Sequence, residues 1–275
     1  MQREEIETNE LPEQYVLNDY SDIVCSTIDI VNICFVGEPQ QPNNDWVLID
    51  AGLPKSGPRI LRELEERFGE NTKPKAILLT HGHFDHVGGL QHLLEVWDVP
   101  VFAHEREIPY LTGKKDYLPP DPTVGGGLMA LLSPFYPSKA IDISSHVQAL
   151  PEDGSIPYME DWSWIHTPGH TPGHVSFFRD KDRSLIAGDA FTTVKQESSI
   201  SVLFQDKEIH GPPAYFTPDW EAAWDSVKRL EALRPAYAIT GHGVPMKGEE
   251  LSEQLAILAE HFDEIAIPKE GKYVH

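Results

Sequence analysis

A chain of 275 residues sets 22 lysines and arginines against 44 aspartates and glutamates, a formal charge of -22. That length buries a sizeable core, and that charge repels polyanions unless a local basic patch intervenes; the sequence offers no such patch, so nucleic acid is not an expected partner. The opening residues MQREEIETNELPEQ put acids where a secretory leader needs a basic start and an apolar stretch, and no apolar run approaches ~18 residues, so the expected location is cytoplasmic with no membrane partner.

In chain order, SDIVCSTIDIVNICFVG and DWVLIDAG predict a strand meander, because β-branched and aromatic residues cluster between turn signals. Cys25 and Cys34 lie in it; two cysteines make no disulfide framework and read as buried thiols. PRILRELEERFG predicts a helix, with Ile60, Leu61, Leu64 and Phe68 at helical spacing and a glycine to end it. AILLT predicts a strand, FDHVGGLQHLLEVW one helix, and VPVFA the next strand. Near 108–138 proline, glycine and aromatics accumulate, which predicts an irregular insertion with one short apolar helix, a candidate lid on a single domain spanning 1–275. WSWIHT, HVSFFRD and SLIAGD predict strands, and DWEAAWDSVKRLEAL and EELSEQLAILAEHFDEIA predict helices. PKAILLT before His81 and PAYAIT before Gly241-His242 echo one another, each a strand that ends by presenting histidine, which suggests two similar halves face to face.

The densest chemistry lies in LLTHGHFDHVGG. Alternate side chains of an extended segment share a face, so His81 and His83 converge, while Asp85 and His86 lie beyond them at a helix start. Neutral imidazoles and carboxylates suit zinc, and also iron or manganese, and catalytic sites keep a position open. Gly82, Gly88 and Gly89 let the backbone turn tightly there. Other strand ends add donors: WIHTPGHTPGH carries His166, His170 and His174, SLIAGDA ends at Asp189, and AITGHG presents His242.

With Asp50 ahead of it, the order Asp50, His81-Gly-His83-Phe-Asp85-His86, His170, Asp189, His242 resembles the metallo-β-lactamase superfamily over roughly residues 45 to 245. The resemblance implies an α/β fold, a four-layer αβ/βα sandwich with a dinuclear site in the groove where the sheets meet. It implies that His81, His83 and His170 hold one divalent metal ion, that Asp85, His86 and His242 hold a second, and that Asp189 bridges them; zinc is the first choice for both. Asp50 would orient the ligand loop without touching metal. His170 is preferred to His166 and His174 because the family ligand sits in a GHTPG-like turn; the other two would be nearby hydrogen-bonding or substrate-side groups.

Two ions ~3.5–4 Å apart would make a bridging water lose a proton near neutral pH, with Asp85 as the catalytic carboxylate that accepts and returns it. The bridging aspartate resembles the glyoxalase II-like and lactonase-like branches, which implies a small-molecule ester, thioester or lactone as substrate. Two features depart from those branches: Ala190-Phe191 follow Asp189 with no nearby tyrosine, and the C-terminal part lacks a basic, glutathione-binding pattern. The competing readings are a mononuclear iron dioxygenase acting on persulfides, a β-lactamase, a tRNA 3′-processing nuclease, and a non-catalytic scaffold; scaffolds of this superfamily typically lose ligands, and all seven are present here. His104, Lys195, Gln196 and His210 flank the expected groove, and AFTTVKQESSISVLFQDKEIHGPPAYF is expected to form one pocket wall. The sequence sets no oligomeric state.

Overall fold

Strand ends carry the chemistry, so the sheets decide where it collects. The computed structural model describes residues 14–16, 22–38, 45–124, 127–194 and 208–274. Seven strands form the first sheet in chain order: β1 (Gln14–Val16), β2 (Ile23–Ile28), β3 (Val31–Val36), β4 (Val47–Ile49), β5 (Ile77–Leu78), β6 (Val101–Ala103) and β7 (Val147–Ala149). The first four pair antiparallel and β4 to β7 pair parallel. Five more form the second sheet: β8 (Trp162–His166), β9 (Val175–Arg179), β10 (Ser184–Gly188), β11 (Tyr237–Thr240) and β12 (Met246–Lys247), in the order β12-β11-β10-β9-β8. Only β10 and β11 run parallel there.

Alternation along β2 and β3 sets the layers. Val24, Ile28, Ile33 and Phe35 face one core, while Ile23, Cys25, Cys34 and Val36 face another. The first core is closed by α1 (Gly57–Phe68), through Ile60 and Leu64, and by the later helix that carries Leu90 and Leu93. The second core lies between the sheets, where Phe102 meets Trp162, Phe177, Ile186 and Ile239. A third core, on the far side of the second sheet, packs Leu185 and Ala187 against Val227, Leu230, Leu251 and Leu255 of two C-terminal helices. Helix, sheet, sheet, helix is the four-layer α/β sandwich expected of the superfamily.

The helix predicted over FDHVGGLQHLLEVW is two: α2 (Phe84–Val87) and α3 (Leu90–Val96). Gly88 and Gly89 divert their amides to Gly52 and Ala51, and a Cβ on Gly88 would overlap the backbone of Leu53 and Pro54, so the turn after β4 occupies the space a continuous helix needs. The insertion holds two short helices rather than one, α4 (Ile108–Leu111) and α5 (Leu128–Leu132), followed by a 3-10 turn at Ser133–Phe135. The final predicted helix likewise divides, at His261, after α6 (Trp220–Ala232), into α7 (Gly248–Glu260) and α8 (Phe262–Ile265). Asp219 caps α6 by accepting from the Ala222 amide. Strands β1 and β7 had no clear pattern in the sequence. Among the described residues no helix is long and apolar enough to cross a membrane.

Two parallel pairs place the site. Because β4 and β5 run the same way, Asp50 and the His81 loop leave the first sheet at one edge; β10 and β11 deliver Asp189 and His242 from the second. The Asn32 side chain ties that edge across the sheets, donating to the carbonyls of Thr240 (2.9 Å) and Gly243 (2.7 Å).

Candidate metal centre

At this shared edge the structure brings all seven donors together, in overlapping groups: His81, His83 and His170; His81, His86 and Asp189; Asp85, His86 and His242. Within each group the donor atoms lie within 4.8 Å of one another, and every member is buried. His83 Nδ1 is 3.1 Å from His81 Nε2 and 2.9 Å from His170 Nε2. Asp189 Oδ2 sits between the groups, 3.4 Å from His170 Nε2, 3.6 Å from His86 Nε2 and 3.3 Å from His242 Nε2. Asp85 Oδ2 is 3.3 Å from His242 Nε2.

The far side of most rings is fixed by an acceptor, and this fixes which nitrogen faces inward. His86 Nδ1 donates to Asp50 Oδ2 (2.8 Å) and His242 Nδ1 to the Ile30 carbonyl (2.8 Å). Thr217 Oγ1 is already a donor to the Pro213 carbonyl, so it accepts from His170 Nδ1 at 3.2 Å. Thr80 Oγ1, a donor to Asp50 Oδ2, accepts likewise from His81 Nδ1 at 3.1 Å. Nε2 of these rings therefore points inward, the arrangement that metal-binding histidines use. Asp50 is held at φ 61°, in the left-handed region, so that its carboxylate turns back onto the Thr80 amide, the Thr80 hydroxyl and His86.

Three observations fit a bound cation. His81 Nε2, His83 Nδ1 and His170 Nε2 converge at 2.9–3.1 Å, three ring nitrogens aimed at one another. Asp85 Oδ1, Asp189 Oδ1 and His86 Nε2 are buried without a hydrogen-bond partner, a condition native proteins avoid unless something else satisfies the atom. The donors are all imidazole or carboxylate, the set that suits zinc, iron and manganese.

The two ends of the site differ in charge. Burial, reinforced by the neighbouring imidazoles, pushes His81 well below its ordinary value; burial and His83 do the same to His170. Burial also takes His83 down to about 4 against the pull of Asp85 and Asp189. At the other end burial lowers His242 too, but Asp189 and Asp85 outweigh it and hold it up at about 10. His86 is raised in the same way by Asp189, Asp50 and Asp85. Asp189, which burial alone would raise, is held well below the usual carboxylate range by His242 and His86.

His174 and His166 stay outside the donor set. His174 Nε2 accepts from the Asp189 amide (2.9 Å) and so fixes the loop that carries Asp189. His166 donates to the Pro172 carbonyl (2.9 Å) and stacks on His104 at 4.3 Å. His210 pairs with Glu208 at 3.2 Å, while Lys195 and Gln196 fall outside the described residues. Sequence reasoning missed Glu107 and Tyr117. Glu107, fully buried, accepts from the amides of Gly82 and Gly173 and from the hydroxyls of Thr171 and Tyr117. No local pattern signals either residue; an acid between a strand and a short helix reads as surface.

A pocket of ≈ 170 Å³ opens beside His83 and His170. Tyr110, Tyr117, Tyr215, Phe216 and Pro172 wall it, and among the described lining residues Lys115 is the one lysine or arginine. The segment after Asp189 thus contributes Tyr215 and Phe216 to the wall, and the insertion contributes Tyr110 and Tyr117.

The model of the metallo-beta-lactamase superfamily matches residues 27–242, so the chain belongs to the metallo-β-lactamase superfamily. It is similar to the probable metallo-hydrolase YflN of Bacillus subtilis (strain 168), 54% identical over 239 residues that span 87% of this chain and 90% of that one. It is a metal-dependent hydrolase of this superfamily. A more distant likeness, 26% over 133 residues, 48% of this chain and 55% of the other, links it to hydroxyacylglutathione hydrolase GloC of Haemophilus influenzae. Among solved structures, TTHA1623 in a di-iron-bound form shares the fold, with a TM-score of 0.53 and 24% identity over 91% of this chain and 97% of that one.

Proposed function

We propose that the chain hydrolyses a small, largely apolar ester, thioester or lactone with two divalent metal ions, zinc in the first instance. His81, His83 and His170 would hold one ion and Asp85, His86 and His242 the other, with Asp189 Oδ2, within 3.3–3.6 Å of Nε2 atoms of both groups, facing both. The ions would supply Lewis acidity, giving a hydrolytic nucleophile from water at neutral pH and polarising the substrate carbonyl. Asp85 Oδ1, buried and unpartnered, would accept the proton and return it to the leaving group. Asp50 holds His86 and the Thr80 turn in register.

The observation that carries the substrate reading is the pocket, whose aromatic and proline walls abut the three-histidine group and whose described lining includes a single lysine. Apolar walls with few polar groups suit an acyl or lactone chain. A nucleic-acid backbone needs several cations, and the chain's charge of -22 opposes one. The printed activity of GloC lends support to a thioester as one member of the class. Metal analysis of protein expressed with ample metal, followed by a panel of aryl esters, thioesters, lactones, phosphodiesters, persulfides and β-lactams, tests the proposal. The expected result is two ions per chain with turnover confined to carbonyl substrates. One ion or fewer, with oxygen uptake on persulfides, replaces hydrolysis of this class by dioxygenation; turnover of RNA alone replaces it by nuclease activity.

A further inference from the structure

Glu107 stands just ahead of α4 with no exposed surface, and each of its oxygens reaches a different loop. Oε2 accepts from the Gly82 amide (3.0 Å), which lies between His81 and His83, and from the Tyr117 hydroxyl. Oε1 accepts from the Thr171 hydroxyl (2.9 Å) and the Gly173 amide (2.8 Å), directly after His170. The first loop leaves β5 in one sheet, and the second joins β8 to β9 in the other. One carboxylate therefore spans the groove and holds together the two loops that must bring His83 Nδ1 within 2.9 Å of His170 Nε2.

The glycines on both loops answer to the same contact. A Cβ on Gly82 would stand 2.5 Å from the Tyr117 hydroxyl, and one on Gly173 would stand 2.8 Å from Glu107 itself. Tyr117 in turn lays its ring against His83, centroids 4.5 Å apart, and walls the pocket. We infer that Glu107 is a positioning residue that clasps both histidine loops and so sets the affinity and geometry of the three-histidine metal position, leaving the Asp85, His86 and His242 position untouched. The inference rests on the two-metal reading above. All four partners of Glu107 are donors, so an amide in its place would turn an NH2 toward other donors on one side and release one loop, with the shape preserved.

The test titrates cobalt(II) against a chromophoric chelator into metal-free wild type, Glu107→Gln and Asp85→Asn, the last marking which binding step and which d–d spectrum belong to the position that contains Asp85. Glu107→Gln should bind cobalt about 10–100-fold more weakly at the other position, with a shifted spectrum there, and should keep wild-type affinity at the marked one. Equal weakening at both positions, or none, overturns the inference while leaving two metals intact. If wild type itself takes up a single ion, the two-metal reading falls, and Glu107 is then judged on that ion: weakened binding upholds it, unchanged binding overturns it. Should Glu107→Gln fail to fold, by circular dichroism, Thr171→Val removes one of the four donors and should give a smaller loss at the same position; unchanged affinity there overturns the clasp.

Discussion

Raising the pH should tighten one metal and leave the other alone. In the metal-free chain His81, His83 and His170 are neutral at pH 7, since burial carries His83 to about 4 and the other two well below their ordinary value. His242 is protonated, because burial is outweighed by Asp189 and Asp85 and its pKa stands at about 10; His86 is raised by Asp189, Asp50 and Asp85 in the same sense. A metal binds only the neutral ring. Filling the three-histidine group therefore displaces no proton, whereas filling the group of Asp85, His86 and His242 displaces at least the proton held by His242. A raised pKa means that the proton is held below it, so competition with metal grows as pH falls and fades as pH rises toward 10. Each displaced proton changes affinity about tenfold per pH unit, so the second group should gain at least about tenfold between pH 6.5 and 7.5 while the first stays flat. Isothermal titration at pH 7 in two buffers of different ionisation enthalpy counts the protons released at each step. Equal release at both steps, or none at either, would refute the charge asymmetry and with it the reading of Asp189 as the anion that holds His86 and His242 charged.

Asp189→Ala should fold normally yet drop toward one metal per chain and lose hydrolysis by orders of magnitude, because Asp189 Oδ2 faces both groups. Asp50→Asn touches only Thr80 and His86, so it should lower affinity or activity ~10–100-fold and keep both ions when metal is plentiful; metal counts and rates on the same preparations separate the two. Asn32→Ala strips the donor from two buried carbonyls, Thr240 and Gly243, and should lower unfolding free energy by about 2–4 kcal/mol in urea melts; a change below ~0.5 kcal/mol would mean that the tie between β3 and the His242 turn is dispensable.

Much of the layered core is legible from one hairpin. In β2 and β3 apolar residues occupy both faces, Val24, Ile28, Ile33 and Phe35 on one and Ile23, Cys25, Cys34 and Val36 on the other, so both faces must be covered, and a sheet buried on both sides requires a second sheet and a helix layer. The convergence of His81 and His83 is legible for the same reason, a period of two at a strand end. The break at Gly88-Gly89 is not legible, because helical periodicity continues through it, and what forbids the helix is the backbone of residues 51–54 arriving from the previous turn. Glu107 is hidden by the same kind of distance: its partners at Gly82 and Gly173 lie 25 and 66 residues away, and none of the three sits in a pattern that periodicity can detect.

The deepest gap between sequence and site concerns charge. His81, His83 and His86 stand within six positions of one another and are indistinguishable as letters, yet in the folded chain the proton affinity of the first two is lowered and that of the third is raised. Distance along the chain from an acid does not predict this, since Asp85 adjoins His86 but also lies close to His83, whose lowering it only partly offsets. What separates them is the arrival of Asp50 from 36 residues away on His86 Nδ1, added to Asp189, which faces both groups, while the His83 side receives a third imidazole from His170. Two donor groups built from nearly the same residue types are thus made chemically unequal by topology, and were both to hold metal, that inequality would give the order of loading a dependence on pH.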